Sequence, residues 1–175
     1  NYLLQAHKDI EFSFFTNEDY KFTNSAYSFY QAKEYVKDET YIHLNCDIIF
    51  SREILSELIK SKHSNVIALS KKINLTNNME QVKINSDYKI LKMDNMKFEE
   101  AVYKAYGLAK FSAESTDYVL KKIEFYLGKN DKNKNYFGIL RQAVLEINYY
   151  GIDKESGLLL EVNTINDLYI ARQSL

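Results

Sequence analysis

The sequence lacks proline and tryptophan altogether, has one cysteine, and contains no long apolar run. A single cysteine excludes an internal disulfide, which fits a reducing compartment. No apolar run approaches about 18 residues, which excludes a transmembrane helix. No charged-then-apolar leader opens the chain, so we expect no secretory signal. Together these absences favour a cytoplasmic protein.

Neither sign of charge dominates the chain. There are 23 Lys and Arg residues against 24 Asp and Glu residues, for a net charge of -1. The basic field that binding to nucleic acid or to an anionic membrane requires is therefore absent. Hydrophobic residues make up 46% and charged residues 27%, as in an ordinary globular domain. The 175 residues fit one domain that is large enough to bury a core.

The hydrophobic periodicity alternates between that of strands and that of helices. Strands are predicted at 10–15, 41–45, 65–70, 101–112 and 157–162, with a hairpin around Ser86 and Asp87. Helices are predicted at 26–37, after Ser51, at 115–128, at 136–149 and from Thr164. The pattern predicts the α/β class, with a mostly parallel sheet buried at the centre. Gly107 interrupts the 101–112 strand, where we expect a bulge or a close approach of a ligand.

Asp47 stands between two apolar runs in the stretch YIHLNCDIIFS (41–51). Burying a carboxylate there costs several kcal/mol unless the group is paired or lies at an edge. Asp47 directly follows the carboxyl end of a predicted strand, the edge at which open α/β sheets bind ligands. The alternative is that Asp47 only shapes the turn before the helix that Ser51 caps. Its neighbour Cys46 is expected to be a small buried residue.

The stretch EVNTINDL (161–168) repeats this layout, with Glu161 and Asn163 after a strand and before a capped helix. Oxygen-bearing side chains at two strand ends could together hold a hard cation. Magnesium takes one or two protein oxygens and completes its shell with substrate phosphates and water. The alternative is that Asn163 and Thr164 only form the turn and the helix cap. The three histidines have no metal-ligand spacing, and His43 is expected to pack on the sheet.

Four stretches resemble, in the same order, motifs of bacterial nucleotidyltransferases that act on sugar phosphates and phosphocholine. NEDYKFTNSAYS (17–28) resembles N-x-x-Y-x-x-T-N-N-x-Y-S, and IHLNCDIIFS (42–51) resembles a strand that ends in N-G-D. KAYGLAKFS (104–112) resembles Y-I-G-I-x-K-F-S, and LLLEVNTINDLYIAR (158–172) resembles W-x-E-I-D-T-P-E-D-L-x-x-A. The resemblance covers about residues 10–173.

The resemblance implies a Rossmann-like three-layer sandwich with a mixed, mostly parallel sheet. It implies a Mg²⁺-dependent enzyme that transfers a nucleoside monophosphate, preferably CMP from CTP, to a sugar phosphate or to phosphocholine. Pyrophosphate would be released, and the product would serve the synthesis of cell-surface polysaccharide. A homodimer is left open, and neither nucleic acid nor membrane is an expected partner.

The resemblance also assigns residues. Asp47 would be catalytic and would hold Mg²⁺ together with Asn163. The nucleotide would be bound by Thr23, Asn24, Ser25 and Asn45. The acceptor would be bound by Tyr106, Gly107 and Glu161. From charge and location, not from the resemblance, we expect Lys92 or Lys97 to neutralise the acceptor phosphate. For Lys92 the competing interpretation is a solvated surface lysine.

Three departures from the family pattern bear on activity. Cys46 stands where the family has glycine, and Asn163 stands where it commonly has aspartate. The opening strand with the loop L-A-A-G-x-G-x-R and a later Pro-Lys is absent from the sequence. Residues 1–175 are therefore predicted to be the C-terminal two-thirds of a single nucleotidyltransferase domain, with part of the active site missing.

Two alternatives remain open from the sequence. A glycosyltransferase of similar fold would carry a D-x-D pair, but Asn45 and Ile49 flank Asp47 at that spacing. A non-catalytic or truncated nucleotide-binding relative would explain Cys46, Asn163 and the absent glycine-rich loop.

Overall fold

The computed structural model describes residues 2–71, 73–153 and 157–174. The helices within these ranges are α1 (Tyr2–Ala6), α2 (Ser25–Tyr30), α3 (Lys33–Val36), α4 (Arg52–Lys60), α5 (Ala113–Gly128), α6 (Tyr136–Glu146) and α7 (Ile165–Ser174). The strands are β1 (Tyr41–Leu44), β2 (Ile48–Phe50), β3 (Val66–Ser70), β4 (Gln81–Ile84), β5 (Ile90–Asp94), β6 (Tyr103–Phe111), β7 (Tyr150–Asp153) and β8 (Leu159–Glu161).

Strand β6 is the central strand of a six-stranded sheet in the order β5-β4-β6-β3-β7, and β1 also pairs with β6. On one edge β6 pairs with β3 along most of its length. The other edge is shared between two strands, because β4 pairs with Tyr103 and Lys104 whereas β1 pairs with residues 108–111. The short strands β2 and β8 form a separate antiparallel ladder. The central edge of β6 is therefore left open between β1 and β4.

The side chains of β3 and β6 alternate between two apolar layers, as strand geometry requires. Ile67, Leu69, Ala105, Ala109 and Phe111 join the larger core cluster, to which α5 and α6 also contribute. Ala68, Tyr106 and Leu108 face the other way and pack with Ile54 and Leu58 of α4. Helices thus cover both faces of the sheet, and the predicted three-layer α/β sandwich is confirmed.

The expectation that most strands run parallel needs correction. Among the described strand pairs, only β3 and β7 are parallel, and the other pairs are antiparallel. Alternating strands and helices predict which elements form but not their direction, because a strand can enter the sheet from either end. The long strand β6 runs opposite to β1, β3 and β4, and the sheet is mixed because β3 and β7 are parallel.

Several element boundaries differ from the predicted ones. Residues 10–15 form no strand and are mostly exposed, because their aromatic side chains do not reach the core. The predicted helix 26–37 is two short helices, and α6 ends at Glu146 so that β7 can begin at Tyr150. The last predicted strand pairs with β2 instead of joining the central sheet. The hairpin of β4 and β5 and the long strand β6 are confirmed.

Polar residues directly before several helices serve as their N-caps. Ser112 caps α5 by accepting from Ser115 N, and Asn135 caps α6 by accepting from Gly138 N. Before α7, the Asp167 carboxylate accepts hydrogen bonds from Thr164 N and Thr164 Oγ1, which confirms the capping box. Ser51 occupies the cap position of α4 but makes no side-chain cap bond.

Candidate functional site

A polar cleft lies where β1 and β4 separate along the shared edge of β6. The Asn45 N–H donates to Gly107 O at 2.7 Å, and the Ala105 N–H donates to Glu80 O at 2.7 Å. These two bonds are the last on either side of the open stretch of β6. The cleft between them is lined by Asn45, Asn78, Met79, Glu80, Lys104, Ala105, Gly107, Asn135, Phe137 and Glu161. Three of the predicted site residues, Asn45, Gly107 and Glu161, are thus brought together from distant parts of the chain.

Gly107 allows the side chain of Asn45 to lie against the backbone of β6. A Cβ at position 107 would overlap the Asn45 side chain and would lie 2.7 Å from its Cβ. The register between β3 and β6 shifts across the same residues, between Ile67 and Leu69. The predicted bulge is therefore present, and the close approach that needs glycine is made by an asparagine of the protein itself.

Lys104 and Glu161 form an ion pair at the floor of the cleft, between their Nζ and Oε2 atoms. Lys104 is 7% exposed, and its ammonium also lies 4.5 Å from the centre of the Tyr106 ring. Burial and the nearby Glu161 carboxylate raise the pKa of Tyr106 to about 12. Tyr106 is packed in the α4 layer, so its contact with the site is through Lys104.

A second ion pair borders the opposite wall of the cleft. Arg141 Nη1 on α6 donates to both carboxylate oxygens of Glu80, at 2.7 and 2.9 Å. Burial raises the pKa of Glu80, although the charge of Arg141 and its hydrogen bonds act in the opposite direction. Both cleft carboxylates are therefore neutralised by a basic side chain of the protein. Nearby Asn78 has φ of 72°, a conformation that asparagine tolerates better than most residues.

Asp47 lies next to the cleft, in the turn between β1 and β2. Its carbonyl accepts from Val162 N at 2.9 Å, so that residues 47 and 162 extend the β2–β8 ladder. Its Oδ1 atom is buried and has no hydrogen-bond partner among the described residues. A buried carboxylate oxygen without a donor is costly unless a cation or a ligand satisfies it. Asn163 follows Val162 and is exposed, so its side-chain oxygen is accessible at the same end of the ladder. This donor set fits a magnesium ion, which takes carboxylate and amide oxygens and retains water.

The described part of the chain contains no cluster of three or more His, Cys, Asp or Glu side chains that could hold a metal by themselves. An ion bound by Asp47 and Asn163 would therefore need ligands from a substrate. Cys46, between Asn45 and Asp47, is exposed, and the expectation of a buried cysteine is wrong. Its side chain projects to solvent because residue 46 lies in the turn beyond the end of β1.

The polar residues before α2 are mostly engaged with each other and with the start of α6. Asn24 accepts from Ser25 N, and Thr23 Oγ1 accepts from Asn17 Nδ2 and donates to Asp19 O. Ser25 Oγ accepts from Tyr136 N at 2.9 Å. This bond places Ser25 beside the residue that follows Asn135 of the cleft lining. Thr23, Asn24 and Ser25 themselves are not among the described lining residues.

Lys92 lies on β5, away from the described cleft lining. It is exposed, and its ammonium is 4.2 Å from the centre of the Phe98 ring. Lys104 is the lysine that the fold brings into the cleft, and sequence reasoning missed it. The signal was present, because Lys104 interrupts a strand that is otherwise buried almost throughout. A lysine in such a strand is rarely buried without a partner.

Glu80, Arg141, Asn78, Asn135 and Phe137 were also missed. They come from the loop before β4 and from α6 with its N-cap residue. Nothing in the local sequence relates these segments to Asn45. Only the pairing of β1 and β4 with the same strand brings these segments to one cleft.

The chain has the fold of solved nucleotidyltransferases. It aligns with the inositol-1-phosphate CTP transferase of T. maritima at a TM-score of 0.68 and 18% identity, covering 86% of this chain and 60% of that one. It aligns with the CTP:phosphocholine cytidylyltransferase of Streptococcus pneumoniae at a TM-score of 0.73 and 15% identity, covering 99% and 72%. A proposed glucose-1-phosphate thymidylyltransferase from Bacillus anthracis gives a TM-score of 0.66 at 15% identity, covering 97% and 67%.

No protein-family model and no curated protein sequence matches the chain. The chain spans 60% of the length of the first of these structures and about 70% of the other two. At these identities the similarity establishes the fold, in agreement with the resemblance of the sequence motifs.

Proposed function

We propose that this chain forms the metal- and acceptor-binding part of a nucleotidyltransferase. The enzyme would transfer a nucleoside monophosphate, with CTP as the preferred donor, to the phosphate of a small molecule. The observation that carries the proposal is the cleft at the open edge of β6. It gathers Asn45, Gly107 and Glu161 from three separate motif stretches, on a fold that cytidylyltransferases share.

The reaction needs little acid–base chemistry from the protein. An oxygen of the acceptor phosphate attacks the α-phosphorus, a new P–O bond forms, and the bond to the β-phosphate breaks to release pyrophosphate. A phosphate monoester has a second pKa near ~6, so at neutral pH the attacking oxygen carries no proton that must be removed. Catalysis then depends on holding the two phosphates in line and on neutralising their charge.

The cleft residues supply these functions in the proposed enzyme. Asn45 and the backbone around Gly107 would contact the nucleotide and the acceptor. The Lys104 ammonium, held between Glu161 and the Tyr106 ring, would face the phosphates from the floor of the cleft. Its pairing with Glu161 keeps it in place before any ligand arrives, so no side-chain ordering is required on binding.

Asp47 and Asn163 would hold a magnesium ion, with Asp47 Oδ1, which has no partner in the part of the chain that the structure describes, as its anionic ligand. When bound, the ion would offset the negative charge of the phosphates at this edge of the site. Asn163 offers a neutral oxygen where the related enzymes commonly have aspartate. The pair therefore carries one negative charge, and we expect weaker magnesium binding than a pair of aspartates would give.

The described cleft lining contains three asparagines and two charge-paired carboxylates, but a single aromatic ring, that of Phe137. Amides and carboxylates hydrogen-bond well to the hydroxyl groups of a sugar or cyclitol phosphate. Recognition of a quaternary ammonium group favours aromatic faces. We therefore place hydroxyl-bearing phosphates beside phosphocholine as candidate acceptors. Synthesis of cell-surface polysaccharide in the cytoplasm remains the proposed setting. Among the described residues, no helix has the length and hydrophobicity that a membrane span requires.

The test uses the complete gene product that contains this chain. Pyrophosphate release should be measured with CTP, UTP and dTTP against phosphocholine, inositol 1-phosphate and glucose 1-phosphate, with and without Mg²⁺. We expect release that requires a nucleotide, an acceptor and Mg²⁺ together. Binding of CTP without turnover would instead support a non-catalytic relative, and hydrolysis of a nucleotide sugar would support a glycosyltransferase.

The reading frame upstream of Asn1 offers an independent check. We expect it to encode a glycine-rich loop followed by Pro-Lys, whose backbone N–H groups and basic side chains would bind the triphosphate. An upstream region without such a loop would argue against catalysis by this protein.

A further inference from the structure

His43 makes two contacts that together fix its ring beside the cleft. Its Nε2 atom lies 3.0 Å from Asn45 Oδ1. Its ring stacks on Tyr136 with 4.7 Å between the ring centres and an interplanar angle of 1°. Phe29 and Phe111 surround the stack, with ring centres at 6.2 and 5.9 Å from that of His43. The ring therefore has little freedom to turn.

The side chains of residues 43 and 45 meet because alternate residues of a strand point to the same side. Asn45 directly follows β1, and its backbone N–H continues the ladder to Gly107. His43 thus reaches the residue that lines the cleft, although His43 itself is not among the described lining residues.

The hydrogen bond has a direction. An amide oxygen only accepts, so the Nε2 atom of His43 carries the proton. Burial lowers the pKa of His43, which favours the neutral ring with its single proton on Nε2. With Oδ1 of Asn45 engaged, the Nδ2 group remains as the donor of that side chain.

We propose that His43 is a positioning residue that fixes the Asn45 amide with its NH₂ group available to an oxygen of the bound nucleotide; this inference rests on the proposed function. Without His43 the amide could rotate by half a turn and present its oxygen instead. Asn45 Oδ1 would then face the phosphate or carbonyl oxygen of the nucleotide, and the repulsion between the two oxygens would oppose binding.

The first experiment measures KM and kcat for CTP in the complete protein, with the acceptor that supports the highest turnover. His43→Phe keeps an aromatic ring on Tyr136 but removes the donor. Loss of one hydrogen bond predicts a rise in KM for CTP of about fivefold, with a smaller change in kcat. Tyr41→Phe is the matched control, because it removes the Tyr41–Tyr136 hydroxyl contact in the same aromatic cluster and leaves the His43–Asn45 bond. Its KM should be that of the unaltered protein.

A double-mutant cycle separates positioning from general support of the fold. If His43 acts through Asn45, then His43→Phe should not raise KM further in an Asn45→Ala background. Additive increases in KM would mean that His43 supports the site by another route, and would overturn the inference. His43→Gln restores a hydrogen-bond donor, so its KM for CTP should lie between that of His43→Phe and that of the unaltered protein.

The orientation itself can be tested without turnover. Nitrogen-15 NMR of the histidine side chains should show His43 as the neutral form with its proton on Nε2, and Asn45→Ala should shift that nitrogen. A proton on Nδ1, or a nitrogen unaffected by Asn45→Ala, would overturn the inference even if the enzyme is active. Absence of nucleotide binding in the unaltered protein would instead remove the proposed function, and the NMR result would still decide the His43–Asn45 bond.

Discussion

Two histidines stack on tyrosines on opposite sides of strand β6, one on β1 and the other where β3 and β7 begin, and their surroundings differ. His43 stacks on Tyr136 beside the cleft, at the carboxyl end of β1. His63 stacks on Tyr150 at 3.6 Å between ring centres, where β3 and β7 begin. A second pocket, here called the far pocket, lies beside His63 and is lined by Lys62, His63, Ser64, Asn65, Glu114, Glu146, Ile147, Asn148 and Tyr150.

The buried polar groups of the far pocket are used to connect parts of the fold. Asn65 is 4% exposed, and its side chain donates to Asn148 O at 3.2 Å and accepts from Ser112 N at 2.8 Å. Asn65 thereby ties the start of β3 to the start of α5 and to the turn before β7. This use of a buried asparagine is structural.

The cleft differs because its polar groups converge on open space. Lys104 and Arg141 each pair with a carboxylate at the wall, and the neighbouring Asp47 Oδ1 has no partner in the described ranges. A polar group that folding leaves unsatisfied costs stability, and such groups are retained where a ligand satisfies them. The comparison therefore favours the cleft, rather than the far pocket, as the proposed functional site.

The largest effect is expected from Asp47→Ala, which removes the proposed anionic metal ligand. Pyrophosphate release by the complete protein should fall at least about a hundredfold, the scale seen when one stabilising group is removed from an active site. Thermal unfolding should change little, because Asp47 Oδ1 has no hydrogen-bond partner to lose among the described residues.

Asp117→Ala is the matched control for Asp47→Ala. Asp117 lies on the exposed surface of α5, where it pairs with Lys121 at 2.7 Å. Its turnover should equal that of the unaltered protein. Undiminished turnover in Asp47→Ala would contradict the assignment of the catalytic residue.

Asn65→Ala should lower stability and leave activity unchanged, the reverse of what we expect for Asp47→Ala. It leaves Ser112 N–H and Asn148 C=O without their partner, which should lower the free energy of unfolding by about 2 kcal/mol. Urea denaturation measures this loss, and KM and kcat should be unchanged at a temperature where the variant is folded. A change in KM would mean that the far pocket takes part in the reaction.

Gly107→Ala should weaken nucleotide binding and cost stability together. The new methyl group overlaps the Asn45 side chain, so Asn45 must leave its position, and such overpacking costs about 1 to 2 kcal/mol. Gly128→Ala at the end of α5 is the control, because no described atom beyond its chain neighbours and the backbone of its own helix lies within 4 Å of the added methyl group. We expect that control to be neutral or slightly stabilising in thermal unfolding. Equal behaviour of the two variants would exclude a tight Asn45–Gly107 contact.

The smallest expected effect is on the pH dependence of stability. Burial lowers the pKa of His43, and burial together with the charges of Lys62 and Lys110 lowers that of His63. Because these pKa values are lower in the folded protein, the unfolded chain binds protons at a higher pH than the folded chain does. The free energy of unfolding should therefore decrease as the pH falls below the unfolded value of about 6.5.

His43→Phe should flatten this dependence more than His63→Phe, because His43 is enclosed by the aromatic cluster. Urea denaturation at pH 7, 6 and 5 measures the slope for each variant. An unchanged slope in His43→Phe would show that another group is responsible for the loss of stability in acid.

Local sequence patterns were sufficient for elements whose surroundings hardly affect them. The hairpin around Ser86 and Asp87, the buried strand at β3 and the capping box of Thr164 and Asp167 follow from turn chemistry, hydrophobicity and side-chain reach. The N-terminal aromatic run at 10–15 has the composition of a strand but forms none, because composition does not provide a strand to pair with.

For the site, the sequence by itself determined which short segments carry chemical groups: Asn45 and Asp47 after one strand, Gly107 within another, and Glu161 and Asn163 around the end of a third. It could do so because a strand end followed by polar residues and a capped helix is a local pattern. The tertiary structure decided which other side chains meet them. Lys104 and Glu80, which pairs with Arg141, line the cleft because β1 and β4 pair with the same edge of β6 and leave a gap between them. That gap depends on the register of three strands far apart in the chain, and local sequence does not determine such a register.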